Sequence, residues 1–343
     1  MKWKLVGAAI LLIGLLFVVS MSNQFSWGVV RRKSISQHSP IRIIGDGQFD
    51  RMHGVTRGSG TITDPYVIEG WDIDSSSAKD TCAGIVVENT TAYLVIRNVQ
   101  IHGPSACDGV RISNVGNARM EGNVLTTNGR GIAIVGSWSV MVLENMIGPS
   151  LEGIVAAHSR SVLVQDNIVR GADQAIVVED SSRISIVGNV VANSTANGVI
   201  VFRSFNSTID SNEVTSSAFR GIALFNSSYG IVARNVVSGA GEQCLYMSSG
   251  YGDILTGNLV EDCGWGGIEI LNGSAIMASG NEVRRSAGTG IGLTGCSNSA
   301  LIANEVGNSR LGVEVASDSD FNMVVNNTVN GSLIAGIVLV GSS

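Results

Sequence analysis

The sequence predicts an all-β protein, a single-stranded right-handed parallel β-helix with three parallel sheets and about ten to eleven coils. Three observations support this fold class. An asparagine recurs every 22 or 23 residues, a glycine followed by an apolar segment recurs with the same period, and the 343 residues include 43 glycines but only 4 prolines. Short Val/Ile strands joined by Gly, Ser and Asn turns have this composition. The repeat lets one elongated domain account for a chain long enough for two.

The asparagine column sets the register of the coils. Each asparagine begins the motif Asn-x-apolar, and we expect its amide to bond to the next asparagine along the stack, so that the column forms a ladder. Asparagine also tolerates the left-handed backbone that a tight turn requires. Ten positions are therefore predicted to be structural and not catalytic: Asn123, Asn145, Asn167, Asn189, Asn212, Asn235, Asn258, Asn281, Asn304 and Asn327.

The glycine column follows roughly eight residues after each asparagine. Apolar segments follow the glycine, precede the asparagine and follow the asparagine, so each period holds three short strands. Strands of successive coils then pair about 4.8 Å apart and form three parallel sheets. The column contains Gly131, Gly153, Gly198, Gly221, Gly267, Gly290, Gly312 and Gly336, with Ala175 and Cys244 in its two gaps.

The two ends of the chain differ from the repeats. Lys2 and Lys4 precede an uncharged apolar run over residues 5–19, which predicts export through a signal peptide or an N-terminal membrane anchor in residues 1–22. Residues 23–40 then form a polar tether, residues 41–82 an N-terminal cap, and residues 83–343 the repeats. The last strand, residues 336–340, leaves an open edge that predicts end-to-end association.

Charge argues against a nucleic-acid partner. The formal net charge is −6, and Arg31, Arg32 and Lys33 are the one dense basic cluster. We therefore expect no binding to nucleic-acid phosphates, and contact with a membrane only through the N-terminal segment.

The repeat resembles a known superfamily. The Asn-x-Val and Gly-Ile-x-Ile coils are similar to those of the pectin-lyase-like superfamily, and especially to its NosD-type branch of exported β-helix proteins. Residues 58–71, Gly-Ser-Gly-Thr-x-x-Asp-Pro-Tyr-Val-Ile-Glu-Gly-Trp, are similar to the openings of archaeal members. The resemblance extends from about residue 41 to the end. It implies the fold, but the family includes lyases, hydrolases, adhesins and metal-centre accessory proteins.

The cysteines predict one disulfide. Cys82 and Cys107 each lie two residues before a glycine of the same column, Gly84 and Gly109, so they are expected to stack on adjacent coils at a separation that suits a bond. Cys244 and Cys296 are expected to be small buried residues. Cys263 is expected to lie out of register with Cys244, so no second disulfide is predicted, and no zinc spacing is present.

The resemblance also implies where a substrate would lie, namely along the outer face of the first sheet. Outward positions two and four residues after each column glycine, from Ala133 to Ser248, predict an apolar and not an acidic face. Its lip carries Arg130, Glu152 and Asp173 on three successive coils. These are candidate catalytic residues, and the alternative is a solvated ion network. The signatures of polygalacturonases and of a pectate-lyase calcium site are absent.

A copper site of the kind implied by the NosD resemblance would need clustered imidazole or soft ligands. The four histidines, His38, His53, His102 and His158, are scattered along the sequence. Met141, Met277 and Met323 fall four residues before ladder asparagines and are assigned to core packing. No metal site and no cofactor are predicted.

Aromatic residues mark the predicted binding face. Exposed rings in a row on a rigid sheet usually make contacts, and the alternative is that long loops fold over them. The candidate ligand-binding residues are Ile200, Phe202, Phe219, Phe225, Tyr246 and Trp265.

The sequence is compatible with three functions. In order of preference they are a non-catalytic β-helix that binds a polysaccharide or an envelope protein, a polysaccharide lyase or glycoside hydrolase, and a NosD-like copper-centre accessory protein. Each is expected to be exported, to the periplasm, the cell surface or the extracellular space.

Overall fold

The computed structural model describes residues 35–78, 81–104, 106–126 and 129–341. These residues form three parallel sheets of 13 strands each, stacked along one axis as a β-solenoid. The predicted fold class is confirmed. The predicted leader at residues 1–22 and most of the tether lie outside the described residues. Within the described part of the chain, no helix is both long and apolar enough to cross a membrane.

Sheet 1 contains the strands that follow the glycine column, and every strand pairs in parallel with its counterpart one coil away. The strands are Ile41–Ile44, Ala83–Thr90, Asp108–Val115, Arg130–Val135, Glu152–Ala157, Gln174–Glu179, Val199–Phe202, Ile222–Phe225, Leu245–Ser248, Ile268–Leu271, Thr289–Thr294, Leu311–Ala316 and Ala335–Val340.

Sheet 2 contains the strands that precede the asparagine column. They are Val55–Arg57, Tyr66–Glu69, Leu94–Arg97, Ala118–Glu121, Trp138–Leu143, Arg160–Gln165, Ser182–Val187, Thr208–Asp210, Ile231–Ala233, Ile254–Thr256, Met277–Ser279, Ala300–Ile302 and Met323–Val325. The first two of these strands pair antiparallel.

Sheet 3 contains the strands that follow the asparagine column. They are Ser36–His38, Trp71–Asp74, Gln100–His102, Val124–Thr126, Met146–Ile147, Ile168–Arg170, Val190–Ala192, Glu213–Thr215, Val236–Ser238, Leu259–Glu261, Glu282–Arg284, Glu305–Gly307 and Thr328–Asn330. Three short 3-10 helices, Asp46–Gln48, Arg51–His53 and Ser75–Ser77, complete the regular structure described. We call the corner between sheets 1 and 2 turn 1, the asparagine corner turn 2, and the corner before sheet 1 turn 3.

Alternation along each strand builds the core. In the strand Ile222–Phe225, Ile222 and Leu224 point inward and are 1% and 2% exposed. Each coil therefore adds a layer of Val, Ile and Leu to one continuous apolar core. A single coil could not bury these side chains, so the coils are stable only when they are stacked.

The asparagine ladder is confirmed. Each buried side chain donates from Nδ2 to Oδ1 of the next asparagine, as between Asn189 and Asn212 at 2.9 Å and between Asn212 and Asn235 at 2.9 Å. The same Oδ1 also accepts from a backbone N–H of the preceding coil. The ladder thus satisfies buried backbone groups at a corner where strand pairing is interrupted.

The backbone reason given for these asparagines is wrong. The left-handed residue of turn 2 is the one before the asparagine, as at Glu144 with φ 54° and Asp166 with φ 54°. The ladder position is specified by buried hydrogen bonds and not by tolerance of positive φ.

Two disulfides are present among the described residues. The Cys82–Cys107 bond joins adjacent coils with a Cα–Cα distance of 4.5 Å, as predicted. Cys244 and Cys263 form a second bond with a Cα–Cα distance of 5.6 Å, so the prediction that Cys263 is unpaired is wrong.

The second disulfide follows from the packing of two columns. A Cβ placed on the column glycine Gly198 would lie 3.0 Å from Oγ of Ser217, which is 19 residues later in turn 3. Cys244 and Cys263 occupy the equivalent positions with the same separation of 19 residues. The loop containing Cys263 is therefore in register, which the sequence interpretation overlooked.

Cys296 replaces a serine in a second ladder at turn 1. In that ladder each backbone N–H donates to the serine Oγ of the next coil, as from Ser159 to Ser181 at 3.0 Å. Cys296 Sγ accepts from the Gly273 N–H at 3.4 Å, and its own N–H donates to Ser319 Oγ at 3.0 Å. The thiol is buried, as predicted, and burial raises its pKa.

Aromatic contacts cover the N-terminal end of the core. The rings of Phe49 and Tyr66 stack at 4.4 Å, and Trp71 Nε1 donates to the Gly54 carbonyl at 2.8 Å. Strand pairing begins earlier than predicted, because Ser36–His38 pairs with Trp71–Asp74 inside the segment assigned to the tether. Its polar sequence, Ser-Gln-His, carries none of the apolar alternation by which strands were recognised.

The last described strand, Ala335–Val340, lies at one end of the described stack. Its inward side chains Ile337 and Leu339 are 53% and 68% exposed. End-to-end association at this coil stays a prediction.

Candidate functional site

The outer face of sheet 1 carries the candidate site. Its side chains project at the second and fourth residues after the column glycine, and equivalent positions of successive coils lie side by side in the strand register. Along the solenoid this face has three parts, an acidic cavity, an apolar row of rings and a second cavity.

The acidic cavity lies toward the N-terminal end. The three catalytic candidates Arg130, Glu152 and Asp173 line one cavity of about 400 Å³ together with Asp108. We call it the Glu152 cavity. Asp108 was not among the predicted residues, although it precedes its column glycine just as Arg130 does.

Asp108 holds Arg130 firmly. The guanidinium donates from Nε to Oδ1 at 3.0 Å and from Nη2 to Oδ2 at 2.8 Å, while the side chain of Asp108 is only 6% exposed. Hydrogen bonding to Asp108 raises the pKa of Arg130. This bidentate pair fixes a positive charge at the edge of the cavity.

Glu152 is the titratable group of interest in this cavity. Burial raises the pKa of its carboxyl, Arg130 lowers it, and the carboxylates of Asp108, Glu179 and Asp173 raise it, with a net upward shift. A half-buried carboxyl whose pKa is raised in a cavity can act as a general acid or base.

The middle part of the face is an apolar cluster. Val155, Val177, Ile200 and Ala223 are packed side by side and are at most 5% exposed. Ile200 is 4% exposed, so its assignment as a ligand-contacting residue is wrong. Its neighbours on the adjacent coils cover it.

A row of rings stands on this cluster. The rings of Phe202 and Phe225 stack at 5.0 Å with planes 15° apart, and Tyr246 follows at 5.3 Å from Phe225. All three side chains are half-buried. The structure thus brings these predicted residues together on three successive coils.

Arg220 lies over part of the ring row. Its guanidinium is 4.4 Å from the Tyr246 ring centroid and 5.7 Å from that of Phe225. Its Nη2 pairs with Glu242 at 3.2 Å, and its Nε donates to Gln243 at 3.0 Å. One arginine side chain, and not a long loop, therefore shields these rings from solvent.

The second cavity is toward the C-terminal end, and the sequence interpretation missed it. It has a volume of about 410 Å³ and is lined by Trp265, Glu269, Gly292, Arg310 and Glu314, among others. We call it the Trp265 cavity. Glu269, Gly292 and Glu314 occupy the outward column two residues after the glycine, beside one another in register. The apolar face predicted from Ala133 to Ser248 therefore does not continue along the column, which becomes acidic beyond Ser248.

Hydrogen bonds hold both glutamates. Gln243 Nε2 donates to Glu269 Oε2 at 2.6 Å, and Thr289 Oγ1 donates to Glu314 Oε2 at 2.9 Å. Gln243 also accepts from Arg220, so a polar chain links the ring row to the Trp265 cavity. Continuing the outward column past Ser248 along the sequence would have revealed both carboxylates.

Exposed aromatics border this part of the face at turn 3. Phe219 is 48% exposed and Trp265 is 64% exposed, with Glu242 stacked between them through backbone hydrogen bonds of 2.9 Å. Both predicted residues therefore stand on one lip of the outer face.

A second aromatic group lies on turn 1 and was also missed. Phe205, Tyr229 and Tyr251 are 54%, 55% and 50% exposed. The two tyrosine rings meet edge to face at 5.5 Å. Phe205, Ser228 and Tyr251 form parallel β-bridges with one another. Their 23-residue spacing was therefore the sequence feature that could have predicted this aromatic group.

Comparison with known proteins identifies the family. The family model described as periplasmic copper-binding protein (NosD) matches residues 73–242, 142–277 and 245–343. The chain belongs to the NosD family. No curated protein matches the chain significantly. The two disulfides are typical of exported proteins in an oxidising compartment.

Solved structures with a similar fold include three bacterial or viral proteins. The Azotobacter vinelandii mannuronan C-5 epimerase A-module is 15% identical, with 90% of each chain covered and a TM-score of 0.51. The Dettilon tailspike protein is 14% identical over 91% of this chain and 62% of that chain, with a TM-score of 0.51. The Streptococcus pneumoniae surface adhesin PfbA is 13% identical over 76% and 78%, with a TM-score of 0.49. At these identities the likeness to the epimerase module and to the tailspike protein shows the fold alone.

The described residues of this NosD-family chain do not fit a copper ion. Within them, no group of three or more His, Cys, Asp or Glu residues could hold a metal. The imidazoles have separate partners: His38 packs against Trp71 with the rings tilted, His53 bonds to Asp50, His102 lies against Asp72 and His158 faces Asp180.

The three methionines assigned to core packing lie on the surface instead. Met141, Met277 and Met323 are 45%, 37% and 49% exposed on the outer face of sheet 2, so their assignment to the core is wrong. They alternate with inward residues such as Val140 and Val142. Met277 and Met323 stand two coils apart with Ala300 between them.

Proposed function

We propose that this chain is an exported β-helix protein that binds a polysaccharide along the outer face of sheet 1. One observation carries the proposal, the stacked row of Phe202, Phe225 and Tyr246 on three successive coils. The periplasm, named in the family description, is the proposed location, with the cell surface as the alternative.

The ring row suits an extended sugar polymer. Its rings repeat with the coil spacing of about 4.8 Å, so a chain aligned with the solenoid axis meets aromatic surface at each coil. Aromatic faces offer apolar contact area to the C–H faces of sugars, while the guanidinium of Arg220 can donate to hydroxyls. Strand pairing already fixes the residues that carry the rings, so binding orders few additional groups.

Affinity electrophoresis tests the proposal. The protein is run in native gels containing dextran, laminarin, galactomannan, alginate or polygalacturonate. We expect at least one polysaccharide to retard the wild-type protein. The double change Phe202→Ser and Phe225→Ser should weaken the apparent affinity for that polysaccharide by about tenfold or more.

The matched control removes two rings from turn 1. Tyr229→Ser with Tyr251→Ser deletes a more exposed aromatic pair away from the outer face of sheet 1, and it should leave retardation unchanged. Equal losses in the two double variants, or no retardation of the wild type by any polysaccharide, would contradict the proposal. Retention on immobilised envelope proteins instead would favour a protein partner.

A second candidate function is acid–base catalysis on a polysaccharide at the Glu152 cavity. The raised pKa of Glu152 and the fixed Arg130–Asp108 pair favour it. In this function Glu152 would exchange a proton with the sugar, and Arg130 would stabilise a nearby negative charge.

Product release decides whether this second function exists. Wild-type protein would release reducing or unsaturated sugar ends from one of the same polysaccharides, and Glu152→Gln would abolish the release while leaving retardation intact. Release that persists in Glu152→Gln would rule out this site, and no release from any polysaccharide would leave binding alone.

A further inference from the structure

The Trp265 cavity contains a glycine that neither the backbone nor the packing requires. Gly292 lies in the interior of the strand Thr289–Thr294 and pairs in regular register with Glu269 on one side and Glu314 on the other. Its backbone is not in the left-handed region, and a Cβ placed on it would meet only Thr289 Cγ2, at 3.7 Å. A side chain would therefore fit there without strain.

Glycine inside a strand weakens the strand and removes packing surface, so it often marks a place where a ligand approaches the backbone. The neighbouring coils fill the same outward column with Tyr246, Glu269 and Glu314. Gly292 leaves a gap between the two glutamates, whose Cα atoms are about 9–10 Å apart at two strand spacings.

The groups around this gap define what would fill it. Trp265 presents a largely exposed ring on the lip, and Glu269 and Glu314 present carboxylates that accept hydrogen bonds. Arg310 is exposed at the same cavity, so two negative charges face one positive charge. The combination of an aromatic wall with carboxylate acceptors suits a ring rich in hydroxyl donors and without a negative charge of its own.

We propose that the Trp265 cavity is a subsite for one uncharged sugar residue of the bound polysaccharide, a proposal that rests on the binding function above. The sugar ring stacks on Trp265 over Gly292, and its hydroxyls donate to Glu269 and Glu314. The subsite selects neutral polysaccharides over uronate polymers, because two carboxylates repel a third.

Filling the gap tests the subsite. Gly292→Leu places a side chain where the sugar ring would lie, and the matched control Gly307→Leu makes the same change in sheet 3, where a Cβ would meet nothing within 4 Å. We expect Gly292→Leu to weaken binding of the neutral polysaccharide that retards the wild type by about tenfold or more, and Gly307→Leu to leave it unchanged.

Tryptophan fluorescence gives a second readout. The neutral polysaccharide should protect the wild-type protein from acrylamide quenching, and this protection should disappear in Gly292→Leu. Trp265→Ala lacks the reporting ring, so its binding is measured by retardation, which we expect to weaken. Trp265 is largely exposed, so Trp265→Ala retains the fold and tests the subsite even if Gly292→Leu does not fold.

The outcomes separate the two proposals. If the wild type binds no polysaccharide, the proposed function itself fails. If the wild type binds and Gly292→Leu binds as tightly, the subsite is wrong and the binding function stands. If Gly292→Leu does not fold, Trp265→Ala takes its place in this comparison. Stronger binding of alginate or polygalacturonate than of every neutral polysaccharide would also overturn the subsite.

Discussion

At the scale of single residues, buried polar side chains decide which corners of the coil can form. The Oδ1 of Asn212 accepts from the backbone N–H of Asn189 and from its Nδ2, both at 2.9 Å, while Asn212 donates to the Asn235 side chain. The sequence predicted this ladder because its spacing is visible in one dimension. It could not predict that the residue before each asparagine bears the positive φ, since Gly, Glu, Asp, Ser, Arg, Ala and Asn all occupy that place.

Replacing one ladder asparagine should be costly. In Asn212→Ala, the backbone N–H and side-chain amide of Asn189 lose their acceptor in a buried corner, and each unsatisfied group costs about 1–3 kcal/mol. We expect a loss of about 3 kcal/mol or more in the free energy of unfolding, measured by urea denaturation. Asn330→Ala, at an exposed strand end, should change it little. Equal stability of Asn212→Ala and the wild type would contradict the ladder's role.

Asp253 should make stability depend on pH. The side chain is buried, accepts from the Gly230 N–H at 2.6 Å, and leaves Oδ2 without a hydrogen-bond partner among the described residues. Burial raises the pKa of its carboxyl from 3.8 to about 7. The folded chain therefore holds a proton that the unfolded chain releases. The stabilising contribution is full below the unfolded pKa and is lost as the pH rises through about 7.

Asp253→Asn isolates this effect. An asparagine keeps the acceptor for Gly230 and cannot ionise, and Asn322 accepts from a backbone N–H three coils later in the same column. At pH 8 the variant should be more stable than the wild type by up to roughly 4 kcal/mol, at 1.36 kcal/mol per pKa unit, and the difference should vanish near pH 4. The difference in Tm between the two proteins, measured from pH 4 to 8, checks this. A difference independent of pH would show that Asp253 is ionised when folded.

At the scale of the elements, contacts between equivalent positions of adjacent coils could be predicted from the sequence, and contacts between different columns could not. The strands, the ladder and the Cys82–Cys107 bond follow from equivalent positions on adjacent coils, which a period reveals directly. The Cys244–Cys263 bond joins two different columns, and that contact depends on how turn 3 packs beneath the glycine column. The outward alternation located the ring row, but it could not show that adjacent coils bury Ile200 or that Arg220 lies across the rings.

The second disulfide offers a test of column packing. Cys244→Gly with Cys263→Ser restores the pair that Gly198 and Ser217 form in another coil. The fold should be retained, and the loss in the free energy of unfolding should be at most about 3 kcal/mol, the value expected for opening a loop of this length. Urea denaturation of the oxidised proteins measures the loss. Failure of the double variant to fold would contradict the equivalence of the two pairs.

At the scale of the whole molecule, the solenoid arranges its outer face as a linear series of surfaces. The Glu152 cavity, the ring row and the Trp265 cavity lie on one sheet, and hydrogen bonds from Arg220 through Gln243 to Glu269 connect the last two. A polymer lying along this face would meet all three in order. The sequence predicted the face and its rings, but the second cavity arises from side chains on turn 3 and sheet 1 that only the folded coil brings together.

The most direct test of polysaccharide binding on this face is a crystal structure of the protein soaked with an oligosaccharide from the polymer that retards it. We predict sugar density along the outer face of sheet 1, against Phe225 and Tyr246 and extending to Trp265. Sugar density confined to another face, such as the tyrosine pair on turn 1, would contradict the account.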